Sequence, residues 1–496
     1  METSINRTNR PPYGILAVLM AGAFVAILNS TFLNIALPSI MADLEVTPTT
    51  VQWLTTGYML VNGIVIPTTA FFIQKYSVRQ LFLTAISLFT IGTIIGGVAH
   101  VFPILLAARM IQAVGSAIMM PLLMNVLLTS FPVEKRGGAM GIFGLVMTFA
   151  PAIGPTLSGW IIEHFDWRML FHIVTPIALT VLVLSFFLLK DKKEKSPIAI
   201  DTLSVLLSSI GFGGLLYGFS IAGEQGWGSP QVYGTILLGV ICLVLFILRQ
   251  FKLEIPMLEF RIFKYPLFTL SAVISIALNI SLFSGMILMP IYVQTIRGFS
   301  PLDSGILLLP GAIIMGIMSP VTGRLFDKYG ARSLGIIGFF LTAVTTYLFS
   351  NLTMDTSYIQ LLIIYAIRSL GISMVMMPIM TNGLNQLPAK YNPHGTALNN
   401  TLSQVSGAIG SALLITVMST RTATYTEEMV ATEMDKLTEQ PSTALLTELQ
   451  NKAMIEGIND AFLVSVGIIC IALILTFFAK RATPAEDFNK PQAKAS

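Results

Sequence analysis

Two arginines lie inside long apolar stretches of this 496-residue sequence, Arg109 in the run 102–127 and Arg368 in the run 357–382. A guanidinium keeps its charge in proteins and offers five donors in a planar fork. Placing one in hydrocarbon costs about 2.5–3.5 kcal/mol even on the lenient insertion scale, so each marks a candidate site for a solute, an ion or a proton path. No carboxylate shares their depth, because the 25 Asp and Glu fall at run ends, in connections or in tails. Amides do share it. Asn29, Asn34, Gln112 and Asn125 accompany Arg109, and Asn279, Asn382, Asn399 and Gln404 come from the second part of the chain with Arg368. Arg109 and Asn29 each sit roughly 10 Å from the same end of their runs at helical rise, which predicts that they meet. An amide compensates a guanidinium less well than a carboxylate does, so a fixed positive charge would remain. Taken singly, each amide is more often a helix-to-helix hydrogen bond than a ligand contact, and together they point to a cavity. The 25 methionines, Met119-Met120 and Met374, Met376 and Met377 among them, suit either flexible packing or a pliable wall along a solute path, in which Met120 is placed. Trp53, Tyr58 and Tyr292 could stack on a ligand.

The elements that hold these residues follow from composition. Hydrophobic residues make up 54% of the chain and charged ones 11%, against about 25% charged in soluble domains. Mean hydropathy is +0.77. Such a chain cannot build a water-soluble surface, and disorder is excluded by the same figures. The net charge of +4 has no Lys/Arg block that would track phosphates, so nucleic acid is not an expected partner. Cys242 and Cys470 lack metal-ligand or redox spacing, and the four histidines, His100, His164, His172 and His394, form no HExxH motif. No GxxxxGK[ST] loop is present. The expectation is a membrane protein that is not an enzyme and binds no metal or cofactor.

A helix needs about 20 mostly apolar residues to cross the hydrocarbon core. Fourteen such stretches occur, near 13–37, 51–73, 80–99, 102–127, 137–162, 168–189, 202–222, 232–250, 267–292, 303–323, 333–350, 357–382, 395–418 and 460–479. With the N-terminus inside, 22 of the 29 Lys and Arg fall in inside segments and 5 outside. By the positive-inside rule both termini are cytoplasmic, as an even number of spans requires. The predicted fold class is all-α integral membrane, multi-pass, in a cell membrane. The acidic stretch 419–459 reads as a solvated amphipathic hairpin on the outside, with capping of a solute path as the other reading.

The chain also repeats itself. Gly323-Arg324-Leu325-Phe326-Asp327-Lys328-Tyr329-Gly330-Ala331-Arg332 answers Ala70 to Arg79 at an offset of 253 residues, Ala408-Ile409-Gly410 answers Ala152-Ile153-Gly154 at 256, and Arg368 answers Arg109 at 259. This predicts an N-terminal six-helix bundle (1–190), two inserted helices with flanking loops (191–262), a C-terminal six-helix bundle (263–482) and a tail (483–496). A parallel duplication of this kind normally encloses a path near the midplane, between its halves. Pro151 and Pro155 remove backbone donors, while Gly154 and Gly159 permit close packing, so the fifth span is expected to bend at the interface between halves.

Four elements together resemble the major facilitator superfamily, and within it the fourteen-helix drug:proton antiporter branch. Leu28-Asn29-Ser30-Thr31-Phe32-Leu33-Asn34-Ile35-Ala36-Leu37-Pro38 is similar to the branch's first-helix signature, and Ala108-Arg109-Met110-Ile111-Gln112-Ala113-Val114-Gly115 to the fourth-helix motif with its proton-linked Arg. The Gly154-Pro155 region resembles the fifth-helix antiporter motif. Gly323 to Arg332 is a good copy of the loop signature, here in the second half. Asn29 stands where the branch usually has Asp, and Ala70, Gln74, Ser77, Ala150 and Ser158 also depart from its patterns. The Asn29 form looks like a subset of Gram-positive exporters that includes lincomycin-resistance proteins.

The resemblance implies a monomeric secondary active exporter in the bacterial cytoplasmic membrane, driven by the proton gradient and moving small amphipathic compounds by alternating access among membrane lipids. Gly154, Pro155, Gly323, Arg324, Asp327, Gly330 and Arg332 would gate it, with Asp327 as an inner latch. The proton carrier stays open among Asp303, Asp201, Glu163 and the substrate. An exporter of an endogenous lipid, signalling molecule or metabolite is the alternative, and a non-transporting membrane sensor a distant one.

Overall fold

The computed structural model describes residues 13–190, 201–434 and 443–485, which are mostly helical with no strand among them. The helices are α1 (Tyr13–Asp43), α2 (Pro48–Lys75), α3 (Val78–Gly97), α4 (Phe102–Ser130), α5 (Arg136–His164), α6 (Met169–Leu188), α7 (Thr202–Gln225), α8 (Pro230–Lys252), α9 (Pro266–Pro290), α10 (Pro301–Phe349), α11 (Tyr358–Asn385), α12 (Asn392–Met434) and α13 (Thr443–Thr476). All thirteen include a stretch long and apolar enough to cross a membrane. In α10, Gly330 turns the chain at φ 78°, a conformation open to glycine because it has no Cβ. This break divides α10 into limbs 301–329 and 331–349, and the protein therefore has fourteen spans. An even number places Tyr13 and Ala485 at the same end of the bundle, called here the basic end because most Lys and Arg lie there.

Local sequence explains where helices begin. Ser77 with Gln80 and Ser300 with Asp303 form capping boxes at the starts of α3 and α10, and proline opens α2, α4, α8, α9 and α10, where its missing N–H would have had no intrahelical partner. The Asp303 carboxylate is engaged by its own cap: its Oδ2 accepts from the Ser300 N–H at 3.2 Å and hydroxyl at 2.7 Å.

In the hairpin predicted over 419–459, the described residues 419–434 and 443–459 are helical extensions of the last two spans rather than a loop. α12 runs on to Met434 and α13 starts at Thr443. These extensions pack together because Gly457 lies flush against Met418 and Thr422, and because Asp460 receives the Arg421 guanidinium and the Tyr425 hydroxyl. Glu, Met and Ala in these extensions favour helix, the threonines less so, and a partner helix then holds each extension beyond the apolar core.

α4 is the most enclosed span, 83% of its apolar window being buried, and α8 the least at 22%. α1 to α6 pack among themselves, as do α9 to α13. The two groups meet chiefly where α5 lies on α10 and where α2 lies on α12. α7 and α8 form a hairpin whose first member rests on both α2 and α12. Trp53 of α2 stacks on Tyr217 of α7 with ring centres 5.8 Å apart, and Trp227 donates to the Thr416 hydroxyl at 2.6 Å. α8 turns Leu237, Leu238, Ile241, Leu245 and Leu248 outward, as a lipid-facing helix must.

Arg249 ties this hairpin at the basic end through Nε and Nη2, 2.6 and 2.8 Å from the Asp201 carboxylate. That guanidinium, with help from Ser204, holds the Asp201 carboxyl down at about 2 from an ordinary 3.8. The pair's stabilising effect should be complete above about pH 4 and lost as pH falls toward 2. In detergent, Arg249→Ala should therefore melt earlier than the parent at pH 7, with the gap closing near pH 2. A gap that stays constant with pH would refute this.

Candidate functional site

The sequence expectation that Arg109 meets Asn29 is realised deep in the bundle. Arg109 is 1% exposed, and its Nη1 donates to Asn29 Oδ1 of α1 and to Gln112 Oε1 of α4, both at 2.9 Å. Its guanidinium carbon lies 4.1 Å from the centre of the Tyr58 ring on α2, a cation–π geometry. A second layer fixes these partners. Gln112 Nε2 donates to Thr93 Oγ1 at 2.8 Å, the Tyr58 hydroxyl donates to Ser116 Oγ at 2.7 Å, and Ser116 donates to Asn62 Oδ1 at 3.1 Å. Arg109 Nε has no partner among the described residues. The result is a buried cation bounded by neutral groups, with a donor to spare. Ser116 and Asn62 were not singled out from sequence, although the signal existed: Gln112/Ser116 and Tyr58/Asn62 are i, i+4 pairs that each put two polar side chains on one helix face.

Arg368 is equally buried but more fully satisfied. Its Nε donates to Thr346 Oγ1 at 3.1 Å, and its Nη2 donates to the Ser281 carbonyl and to Ser284 Oγ, the latter at 3.0 Å. Ser465 of α13 completes the cluster through Ser284 at 3.2 Å. Gly285 makes room for it, since a Cβ there would stand 2.3 Å from Arg368 Nη1. Hydroxyls and a carbonyl from α9 and α10 thus hold Arg368, with Ser465 of α13 behind them.

The remaining amides scatter. Asn279 accepts from Ser403 at 3.0 Å and joins α9 to α12. Asn382 donates to the Lys480 carbonyl at 2.9 Å and accepts from the Ala482 N–H at 3.0 Å, binding the chain after α13. Asn125 is buried with its Oδ1 unpaired among the described residues. Asn399, Gln404 and Met120 are half-buried. The side chains of Asn34 and Pro155 lie outside the described residues. Tyr292 is packed in the core. Two surface pockets, of about 460 Å³ beside Asp43 and Trp167 and about 430 Å³ beside Tyr76 and Gln80, are lined by residues outside the Arg109 network.

At the basic end Asp327 of α10 receives the Gly137 N–H on Oδ1 at 2.8 Å and the Gly138 N–H on Oδ2 at 2.9 Å. These are free donors at the start of α5, where a carboxylate is favoured. Glycines allow the approach: a Cβ on Gly323 would stand 2.2 Å from the Gly137 carbonyl oxygen. Arg324 and Arg332 are exposed beside it. Gly154 has a different neighbour from the one expected. It abuts Thr31 of α1, 2.2 Å from where its Cβ would be, and Ser158 donates to the Phe32 carbonyl at 2.8 Å. Its small size serves packing on α1, and the contact of α5 with α10 is made further toward the basic end by Gly137, Gly141 and Gly144.

The Major Facilitator Superfamily model matches residues 19–411. The uncharacterized MFS-type transporter YhcA of Bacillus subtilis is 46% identical, the match covering 97% of this chain and 95% of the relative. The lincomycin resistance protein LmrB of the same species is 42% identical over 94% and 95%. The human organic anion transporter MFSD10 has the same fold, with a TM-score of 0.65 at 12% identity, covering 94% of this chain and all of that one. A fourteen-span helical bundle with a buried Arg on α4, matched over nearly its whole length by such transporters, leaves no doubt about kinship: the chain belongs to the major facilitator superfamily.

Proposed function

We propose that the protein is a proton-coupled exporter of amphipathic small molecules, neutral or anionic, that works by alternating access in the bacterial cytoplasmic membrane with both termini inside. The observation that carries this reading is the Arg109 network, a buried charge whose partners Asn29, Gln112 and Tyr58 are all neutral. In that setting an anion or a dipole would be attracted, and a cation would be repelled. The proposed moving parts are the two groups α1–α6 and α9–α13, with α7 and α8 as the insertion between them. Similarity to the lincomycin resistance protein LmrB of Bacillus subtilis and, at 28% identity, to the multidrug transporter protein MdtP of the same species supports drug efflux as the task. Asp201 and Asp303 are engaged in structural contacts, and Glu163 is exposed, so none of the three is proposed as the proton carrier.

The test is efflux of a panel of amphipathic dyes and antibiotics from energised cells of a pump-deficient host. Export should collapse when a protonophore dissipates the gradient. Efflux unchanged by the protonophore would refute proton coupling, and absence of efflux with accumulation of a cellular metabolite in a deletion strain would favour an endogenous substrate.

A further inference from the structure

The inserted hairpin touches both groups of helices and grips them unequally. At the basic end α2 meets α12, where the Gln74 side-chain nitrogen lies 3.0 Å from His394 Nε2, and the Glu259 N–H holds the connection after α8 to His394 Nδ1 at 3.1 Å. Toward the opposite end α7 lies against α2 and α12, more extensively on α2. That seat on α2 is interlocked. A Cβ on Gly63 would stand 2.0 Å from Leu216 Cδ1, so the leucine fills a notch that glycine leaves open. Gly213 of α7 in turn admits Ile64 and Leu60, 3.3 and 3.8 Å from where its Cβ would be, and Tyr217 stacks on Trp53. Together these contacts cover roughly 16 Å of α2 at helical rise. The tie to α12 has another character. Gly226 turns the chain at φ 75° as α7 ends, Trp227 folds back on Phe219 with ring centres 6.0 Å apart, and its indole N–H donates to Thr416 Oγ1 at 2.6 Å. Thr416 lies roughly 36 Å along α12 from its start at the basic end. Among the described residues this is the one hydrogen bond between α7 with its following turn and α12.

We propose that α7 travels with α2 and that the Trp227–Thr416 bond is a release catch, made while the basic end is closed and broken when that end opens. α2 and α12 belong to different groups, so their spacing at the end opposite the basic one changes when the groups rock. α7 touches both and keeps both contacts unchanged at one spacing only. The seat on α2 resists sliding, because Leu216 would have to climb out of the Gly63 notch. A hydrogen bond weakens steeply once donor and acceptor move apart or out of line, so the motion falls on Trp227 and Thr416. Because Trp227 is folded onto Phe219 of α7, its indole leaves α12 together with that helix, while the Glu259 contact pins the other end of the hairpin to α12.

This inference rests on alternating access, and its test compares contacts rather than flux. An interaction kept in both states leaves their ratio unchanged, whereas one made in the closed state alone favours that state. Spin labels at Lys135→Cys and Lys328→Cys, both exposed, report the separation of α5 and α10 at the basic end in purified full-length protein, in a background with Cys242→Ser and Cys470→Ser. Trp227→Phe, which keeps a ring against Phe219 but no donor, and Thr416→Val, which keeps the side-chain shape but no acceptor, should each raise the open-to-closed ratio by about twofold to tenfold, the range for one neutral hydrogen bond. The double variant should show no more than either single one, because both remove the same bond. Trp53→Leu, which gives up the stack between α2 and α7, should leave the ratio as in the parent. An unchanged ratio in Trp227→Phe and Thr416→Val, or an equal rise in Trp53→Leu, overturns the proposal. Efflux measured separately on the parent tells that outcome from failure of the exporter reading: the expected shifts in a protein that exports nothing would support the catch and refute the exporter.

Discussion

Arg109→Ala should cut export by about tenfold to a hundredfold or more while the protein still inserts in the membrane. Its hydrogen bonds to Asn29 and Gln112 involve a charged donor, a class worth about 1.5–3 kcal/mol each, and a factor of ten in rate or affinity corresponds to about 1.4 kcal/mol. The substitution also removes the cation from the Tyr58 face. It relieves the cost of burying a charge, however, so the helix itself loses no reason to span. Arg109→Lys tests the geometry: an ammonium keeps the charge but not the planar group whose Nη1 meets both amide oxygens while its carbon lies over the Tyr58 ring. Partial activity in the lysine variant and none in the alanine variant would assign both charge and shape to the site. Full efflux by Arg109→Ala, measured in inverted vesicles at matched protein levels, would reduce the network to a packing device.

The second large effect should come from the smallest substitution, Gly323→Ala. The added Cβ would stand 2.2 Å from the Gly137 carbonyl oxygen and 3.0 Å from the Gly141 Cα, both backbone atoms that no rotamer change can move. α5 and α10 must separate, and Asp327 then loses its reach to the Gly137 and Gly138 N–H groups. With two charge-assisted bonds at stake, the closed basic end should become less populated by at least about a hundredfold. Export should fall accordingly, and a cysteine pair across α5 and α10 at this end should cease to cross-link. Asp327→Asn, which keeps the glycine contact and an acceptor oxygen, should be milder. Wild-type cross-linking in Gly323→Ala would show that the two helices are free to rearrange around this contact.

Much of this was legible beforehand where a physical constraint acts on each segment alone. Hydrocarbon admits helices about 20 residues long, so the spans could be counted, and Gly330 falls where the tenth and eleventh were separated. The pairing of Arg109 with Asn29 was also readable, because depth in a membrane is proportional to distance along the helix. The same reasoning did not reveal how completely Arg368 is satisfied. Ser281, Ser284 and Thr346 are common residues in spans, and only rotation about each helix axis decides whether they point at a guanidinium. Gly154 illustrates the same gap, since small residues announce a close approach without naming the helix that approaches.

Composition, span count and the repeat of motifs therefore determined, from sequence alone, the class of protein, its number of crossings and its two buried cations. The tertiary structure alone decided the neighbours. Gln74 and His394 are separated by 320 positions, and their contact depends on how two sets of helices lean together, a property of packed surfaces that no local pattern records.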